Sequence, residues 1–203
     1  MTRRSTLFAV FALGLLAVLG SVWLSIAHRT SPAPERLSST SAQLGGPFTL
    51  RDTNGKTVTD QTYRGKWLLI YFGYTSCPDA CPTALNNMGV ALDRLGPDAA
   101  AVQPIFITVD PKRDTREALA DYLKSFDPHI VALTGSEPEI AAAVKEYHVY
   151  VAAHPEEGAN YSVDHSSLYY LISPDGKFAG ILHGDLSGDE LADRLRDSMK
   201  HTV

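Results

Sequence analysis

The chain has 203 residues, which is enough for one hydrophobic core and short for two domains. Its hydrophobic content of 44% and charged content of 20% are ordinary for a globular protein and exclude disordered or fibrous classes. Residues 1–36 hold four of the 18 basic and one of the 23 acidic residues, which leaves a net charge of −8 on the rest. This acidic body argues against nucleic acid and anionic lipid as partners, because both bind concentrated positive charge.

An uncharged stretch occupies residues 7–27 and follows Arg3 and Arg4. As a helix it would be about 31 Å long at ~1.5 Å per residue, which matches the hydrocarbon core of a bilayer. We therefore predict an N-terminal transmembrane helix within residues 1–29, because the apolar region of a secretory signal is usually shorter. Cleavage after Ala27 by a signal peptidase is the alternative, since small residues precede that point.

The basic N-terminus predicts the orientation of the chain, because positively charged flanks stay on the cytoplasmic side. Residues 30–43 are rich in proline and hydroxyl side chains and are typical of an exposed linker. Residues 44–203 then form one domain on the far side of the membrane. We expect a single-pass protein of a bacterial inner membrane, with its soluble domain in the periplasm.

The remaining sequence alternates between strand and helix patterns. Continuous apolar runs predict buried strands, leucines at helical spacing predict one helix, and capping boxes predict the starts of three more. The predicted elements, in chain order, are a hairpin (48–50 and 57–59), a strand (67–72), a helix (82–95), a strand (104–109), a helix (114–126), a strand (130–133), a helix (136–147), a hairpin (167–172 and 177–182) and a helix from 187. This order predicts an α/β fold of the thioredoxin type, a mixed sheet flanked by helices with an added N-terminal β-hairpin.

The only two cysteines, Cys77 and Cys81, lie four positions apart, and each precedes a proline. A following proline disfavours helical angles, so both cysteines are predicted in the loop before the first helix. A helix N-terminus favours thiolate, the form that binds metals and attacks disulfides. A purely stabilising disulfide is the alternative, although so short a loop restrains the unfolded chain little. The three intervening residues, one more than in thioredoxin-type redox motifs, widen the loop enough for both sulfurs to face one ion.

A metal site needs a third ligand, and the chain has seven histidines. Thiolates select soft ions such as Cu(I) or Zn(II), and a histidine also admits Cu(II). Four histidines lie near the chain ends or at helix–strand junctions and are poor candidates: His28, His129, His148 and His201. His154 and His183 stand in no pattern, whereas His165 precedes a strand whose start approaches the cysteine loop in sheets of this type. The residues alone leave the choice among these three open.

Three motifs occur in the order seen in a known family, at residues 71–83, 108–115 and 163–166. They resemble the Sco/SenC family of copper chaperones for cytochrome c oxidase, and the similarity runs from about residue 44 to the last helix. The resemblance implies a thioredoxin-like fold and one copper ion, as Cu(I) or Cu(II), bound by Cys77, Cys81 and His165. Asp110 matches an acidic family position near the site. It either supports a ligand without binding the metal or is a turn residue before a proline.

The resemblance also implies a metallochaperone that delivers copper to the dinuclear copper site of cytochrome c oxidase. The expected partners are the oxidase subunit that carries this site, a periplasmic copper donor or thiol reductant, and the membrane. The pair Cys77 and Cys81 supports a second role, a thiol-disulfide oxidoreductase that reduces the cysteines of the acceptor site. A peroxidase related to peroxiredoxins and a zinc-binding structural module are the remaining alternatives.

Overall fold

A computed structural model describes residues 44–154, 158 and 160–200 of the chain. The predicted transmembrane helix, its cleavage site and the predicted linker at residues 30–43 lie outside these residues. Within them, no helix has both the length and the apolar character needed to cross a membrane. The strands are β1 (Thr49–Asp52), β2 (Thr57–Thr59), β3 (Trp67–Gly73), β4 (Val102–Thr108), β5 (Val131–Thr134), β6 (Val151–Ala153), β7 (Val163–His165), β8 (Leu168–Ile172) and β9 (Phe178–His183). The helices are α1 (Ala80–Leu95), α2 (Arg116–Leu123), α3 (Glu137–Glu146) and α4 (Gly188–Lys200), and a 3-10 helix spans Gly96–Ala101.

Seven strands form one mixed sheet in the order β2-β1-β5-β4-β3-β8-β9. Strands β3, β4 and β5 are parallel, and β8 pairs antiparallel with β3 and β9. Every residue of β3 is buried, as its continuous apolar run predicts for a strand covered on both faces. The parallel strands place their C-terminal ends at one edge of the sheet, and the cysteine loop follows β3 at that edge.

Aromatic contacts show that helices cover both faces of the sheet. Phe106 lies beside Tyr71 in the register, and successive residues of a strand face opposite sides, so Phe72 and Phe106 lie on opposite faces. The Phe106 ring contacts Tyr122 of α2, whereas the Phe72 ring contacts Tyr147 at the end of α3. The predicted mixed sheet between helices is therefore confirmed.

Two of the three predicted capping boxes are confirmed, those of Ser136 with Glu139 and of Ser187 with Glu190. The third prediction, a helix that begins at Asp114, is wrong. Helix α2 begins at Arg116, and the side chain of Thr115 accepts the capping hydrogen bond from the N–H of Ala118. Asp114 cannot cap the helix because its carboxylate is buried in other hydrogen bonds.

A second sheet was not predicted from the sequence. It consists of β6 and β7, which pair antiparallel so that His165 lies opposite Val151. Each strand has only three residues, and in β7 the buried Val163 is followed by the more exposed Asp164 and His165. Strands of three residues are too short to show the periodicity of a strand, so their sequences resemble loops. His165 therefore lies on a strand of this second sheet and not on one of the seven-stranded sheet.

Candidate metal centre

The cysteines lie where β3 ends and α1 begins. Helix α1 begins at Ala80, two residues before the predicted start, so Cys81 lies in its first turn and not in the loop. Pro82 is compatible with this position because the first N–H groups of a helix have no partner within it. Cys81 is buried, Cys77 is partly exposed, and both are free thiols. One sulfur is therefore accessible from solvent and the other is enclosed.

His165 approaches the cysteines through one ring nitrogen and contacts the backbone through the other. Its Nε2 lies 3.4 Å from Sγ of Cys81, and its Nδ1 lies 3.1 Å from the carbonyl oxygen of Ser166. A carbonyl only accepts hydrogen bonds, so this contact assigns the proton of the neutral ring to Nδ1. The rings of Tyr71 and Tyr74 stand edge-on to the imidazole, at 6.0 and 5.8 Å between centroids. These contacts direct the Nε2 lone pair toward the sulfurs, as a metal ligand requires.

The two other histidines that the sequence left as candidates, His154 and His183, do not belong to a group with the cysteines. His154 directs its Nε2 to Asp164, at 2.9 Å from a carboxylate oxygen. His183 ends strand β9 on an exposed position. Among the described residues, the one group of three or more potential metal ligands in close proximity consists of Cys77, Cys81 and His165.

The geometry of this group fits a single soft metal ion. The two sulfurs and the ligand nitrogen all lie within 4.8 Å of one another. With metal–sulfur bonds of ~2.3 Å, two sulfurs on opposite sides of one ion are about 4.6 Å apart, and a metal–nitrogen bond is shorter, at ~2.0 Å. The three atoms therefore need to move only slightly to bind one ion. Two sulfurs and one imidazole suit copper or zinc and not harder ions such as magnesium or calcium.

Hydrogen bonding divides the two thiols into an acidic and a non-acidic one. The hydrogen bond from the Cys81 thiol lowers the pKa of Cys77 to about 3 against the effect of burial, helped by His165 and by the N–H groups of Asp79 and Cys81. The same hydrogen bond to Cys77, together with burial, raises the pKa of Cys81. Cys77 is thus the thiol that ionises first, and a bound metal ion would take the place of the Cys81 proton.

The last residue of β3, Gly73, leaves room for the buried sulfur. A Cβ atom at this position would lie 2.5 Å from Sγ of Cys81 and 2.8 Å from Cε2 of Phe106. Both distances are too short for carbon side-chain contacts, so any larger residue would displace one of these groups. The glycine therefore lets Cys81 pack directly against the end of the strand.

Asp110 is buried but is not part of the ligand group. Its carboxylate accepts hydrogen bonds from the hydroxyl of Tyr161, at 2.6 Å, and from Nε of Arg113. It therefore connects the segment after β4 with the segment before β7. Arg113 and Tyr161 were not singled out in the sequence. Arg113 lies inside the second motif and could have been noticed there, whereas Tyr161 lies in no motif.

Asp114 was also misread, since its spacing to Glu117 suggested a helix cap. The buried carboxylate accepts hydrogen bonds from the N–H and the hydroxyl of Thr75, at 3.1 and 2.5 Å, and from the hydroxyl of Thr108, at 2.6 Å. Burial raises its pKa, and the threonine hydrogen bonds partly counteract that rise. Because Thr75 lies two residues before Cys77, Asp114 fastens the cysteine loop to the end of β4.

The sequence model of the family described as SCO1/SenC matches residues 37–200, well over half of the chain. The chain belongs to the SCO1/SenC family. A human relative, protein SCO1 homolog, mitochondrial, is 42% identical over 163 residues, which cover 77% of this chain and 53% of the relative. This SCO1/SenC chain thus spans about half the length of the mitochondrial relatives it matches.

Solved structures of SCO1/SenC proteins share the fold. ScoI of Bradyrhizobium japonicum, solved with copper bound, is 44% identical with a TM-score of 0.71 over 76% of this chain and 99% of that one. BsSco, a member of the Sco family of cytochrome c oxidase assembly proteins with a disulfide switch, is 26% identical with a TM-score of 0.63 over 79% and 95% of the two chains. These similarities confirm the family resemblance and the thioredoxin-like arrangement of the sheet.

Proposed function

We propose that this protein is a copper metallochaperone that delivers one copper ion to the dinuclear copper site of cytochrome c oxidase. The observation that carries the proposal is the convergence of Cys77, Cys81 and His165 within 4.8 Å. The copper-bound ScoI relative supports copper as the cargo, and the relationship to BsSco supports a role in oxidase assembly. The copper-site subunit of the oxidase is the partner that fits this role, with a periplasmic copper donor or thiol reductant upstream.

The proposed cycle begins with both thiols reduced, because a disulfide offers no thiolate to the ion. Cys77 and Cys81 bind copper through sulfur, and the Nε2 of His165 completes a three-coordinate site. Low coordination leaves an open direction for the ligands of an acceptor. Because Cys77 is partly exposed and Cys81 is buried, the acceptor approaches from the side of Cys77 and takes the ion by ligand exchange.

Three alanine variants of the full chain test the copper site: Cys77→Ala, Cys81→Ala and His165→Ala. We expect the cysteine variants to lose stoichiometric binding of Cu(I), measured by competition with a chromophoric chelator, because a single thiolate remains. His129→Ala is the matched control, since His129 is exposed and contacts Asp127 outside the site. Wild-type stoichiometry and affinity in both cysteine variants would refute the proposal.

The asymmetry of the thiols favours a second candidate role, reduction of the cysteines of the acceptor. Cys77 is the accessible thiol with the lowered pKa, as an attacking thiolate should be, and Cys81 is placed to resolve a mixed disulfide. Cys77 would attack the acceptor disulfide and form a mixed disulfide, and Cys81 would then attack the sulfur of Cys77. The acceptor would gain two electrons, and a Cys77–Cys81 disulfide would remain. Exchange with an acceptor disulfide in His165→Ala separates the roles. Undiminished exchange in this variant, together with weakened Cu(II) binding, would favour the reductase.

For the N-terminal region we propose a membrane anchor within residues 1–29 and a linker at 30–43, followed by a domain at 44–203 in the periplasm. The uncharged stretch of 7–27 after Arg3 and Arg4 supports this arrangement. Mass spectrometry of the mature protein tests it. We expect the mature protein to keep its N-terminus. We also expect protease added to spheroplasts to cleave the domain. A mature protein that starts after Ala27 would refute the anchor.

A further inference from the structure

The strand that carries His165 is fastened differently at its two ends. After β7, only Ser166 and Ser167 precede β8, so the C-terminal end of β7 is tied covalently to the main sheet. On the other side, β7 follows the connection of residues 154–162, and among the described strands it pairs only with β6. Apart from this pairing with β6, the attachment of the N-terminal side of β7 to the rest of the domain depends on side-chain contacts.

Arg113 makes several side-chain contacts on that side. Its Nε donates to Asp110, and its Nη1 donates to the carbonyl oxygen of Tyr161 at 2.7 Å. The guanidinium carbon lies 3.6 Å from the centroid of the Tyr161 ring, while the Tyr161 hydroxyl donates to the other oxygen of Asp110. These three residues form a closed set of contacts, which we call the arginine clasp. It joins the segment after β4 to the segment before β7.

Tyr74 connects the arginine clasp with the imidazole. Its buried ring lies 5.6 Å from the guanidinium carbon of Arg113 and stands edge-on to His165 at 5.8 Å between centroids. Its hydroxyl accepts a hydrogen bond from the N–H of Val163, the first residue of β7, at 3.4 Å. One aromatic ring between the cysteine loop and β7 therefore contacts both Arg113 and the proposed ligand.

We infer that Arg113 is a positioning residue that keeps His165 within bonding distance of a copper ion on the two cysteines. The inference deepens the proposed function and rests on it. Only a planar guanidinium can donate in two directions and stack on a ring at the same time, so lysine does not replace it. Without the clasp, the paired strands β6 and β7 lose this attachment to the segment after β4, and His165 can move with them away from the cysteines.

Loss of the imidazole affects the two oxidation states of copper differently. Two thiolates satisfy soft Cu(I), whereas Cu(II) depends more on the nitrogen ligand. We therefore expect Arg113→Met to weaken Cu(II) binding by about 10- to 100-fold, the range for residues that orient a metal ligand. The EPR spectrum of the Cu(II) form is expected to lose its nitrogen hyperfine coupling, and Cu(I) affinity is expected to fall much less.

A double-mutant cycle in the full chain tests the inference, with Arg113→Met, His165→Ala and the double variant. If Arg113 acts through His165, Arg113→Met has no further effect on Cu(II) affinity in the His165→Ala background. Lys112→Met is the matched control, because Lys112 belongs to the same segment and forms an exposed ion pair with Glu137 at 3.3 Å. We expect the control to keep wild-type affinity and EPR spectrum.

The outcomes distinguish this inference from the proposed function. Wild-type Cu(II) affinity and spectrum in Arg113→Met, or an equal loss with and without His165, would overturn the positioning role while copper binding stands. Wild-type binding in the cysteine variants would overturn the proposed function itself. If circular dichroism shows that Arg113→Met is unfolded, Tyr161→Leu is tested in its place. This variant removes the ring on which the Arg113 guanidinium stacks, and Tyr161 is only half-buried, so the fold should tolerate the change. The same dependence on His165 is then expected, and its absence refutes the inference.

Discussion

Replacement of Asp114 by alanine tests a buried carboxylate that accepts three hydrogen bonds near the site. The change removes the acceptor of three hydrogen bonds, two from Thr75 and one from Thr108. A buried donor that loses its acceptor costs about 1–3 kcal/mol. Water can reach the half-buried Thr75, so its donors belong at the low end, and the buried Thr108 belongs higher. We expect Asp114→Ala to lower the free energy of unfolding by about 3–5 kcal/mol.

Urea unfolding followed by circular dichroism measures this change. Asp121→Ala is the matched control, because Asp121 is an exposed residue of α2 that pairs with Lys124. An exposed pair contributes about 0–1 kcal/mol, so the control is expected to remain near the wild type. A loss in Asp114→Ala no larger than that of Asp121→Ala would refute the argument that the buried carboxylate fastens the cysteine loop.

The isosteric variant Asp114→Asn separates the hydrogen bonds from the charge. Its amide oxygen can accept from the Thr75 N–H and from Thr108, while the Thr75 hydroxyl can turn and accept from the amide nitrogen. Burial raises the pKa of Asp114, so the folded state binds its proton more tightly than the unfolded state. This contribution to stability is present at low pH and is lost as the pH rises through the raised pKa. The difference in the free energy of unfolding between the wild type and Asp114→Asn is therefore expected to shift in favour of the wild type as the pH falls through the raised pKa of Asp114. A difference that does not change with pH would contradict the raised pKa.

Three further predictions concern the metal centre. Gly73→Ala displaces the sulfur of Cys81, so we expect a loss of Cu(I) affinity of about 10-fold or more. Gly180→Ala is the control and is expected to bind Cu(I) as the wild type does, because a Cβ atom at Gly180 meets no atom within 4 Å. Iodoacetamide at pH 6 is expected to alkylate Cys77 and not Cys81, as mass spectrometry would show, because only Cys77 is accessible with a lowered pKa. Cu(I) at 100 times its Kd is expected to raise the free energy of unfolding by about 2.7 kcal/mol, and the same shift in Cys81→Ala would argue against that ligand.

The elements that could be predicted from sequence are those whose signal is local. The continuous apolar run of β3 marks a strand buried on both faces, and the Ser136 and Ser187 boxes mark helix starts through contacts three residues apart. Strand β7 could not be predicted in this way, because three residues carry no periodicity. Asp114 was misassigned for a related reason. Its hydrogen-bond partners Thr75 and Thr108 lie 39 and 6 residues away, and a spacing rule detects only partners within one helical turn.

The same distinction applies to the metal site. The cysteine pair is visible as a spacing, because both proposed ligands lie within one strand–helix junction. The histidine became identifiable only through the family resemblance, since the residues alone left His154, His165 and His183 open. The structure brings His165 to Cys81 across 84 residues of sequence through the position of β7. A contact between distant elements depends on the whole fold and has no signature in either segment alone.

The second motif, residues 108–115, contains none of the three proposed ligands, yet it contacts the segments that lead to both the cysteines and His165. Asp114 binds the loop that leads to the cysteines, and the adjacent Arg113 binds the segment that leads to His165. Two neighbouring residues thus relate the sulfur pair to the imidazole, although β3, which precedes the cysteines, and β7, which carries His165, belong to different sheets. The motif is therefore explained by geometry and not by direct bonding to the metal. Substitutions at Asp114 are expected to act on fold stability and the cysteine loop, while those at Arg113 are expected to act on the nitrogen ligand.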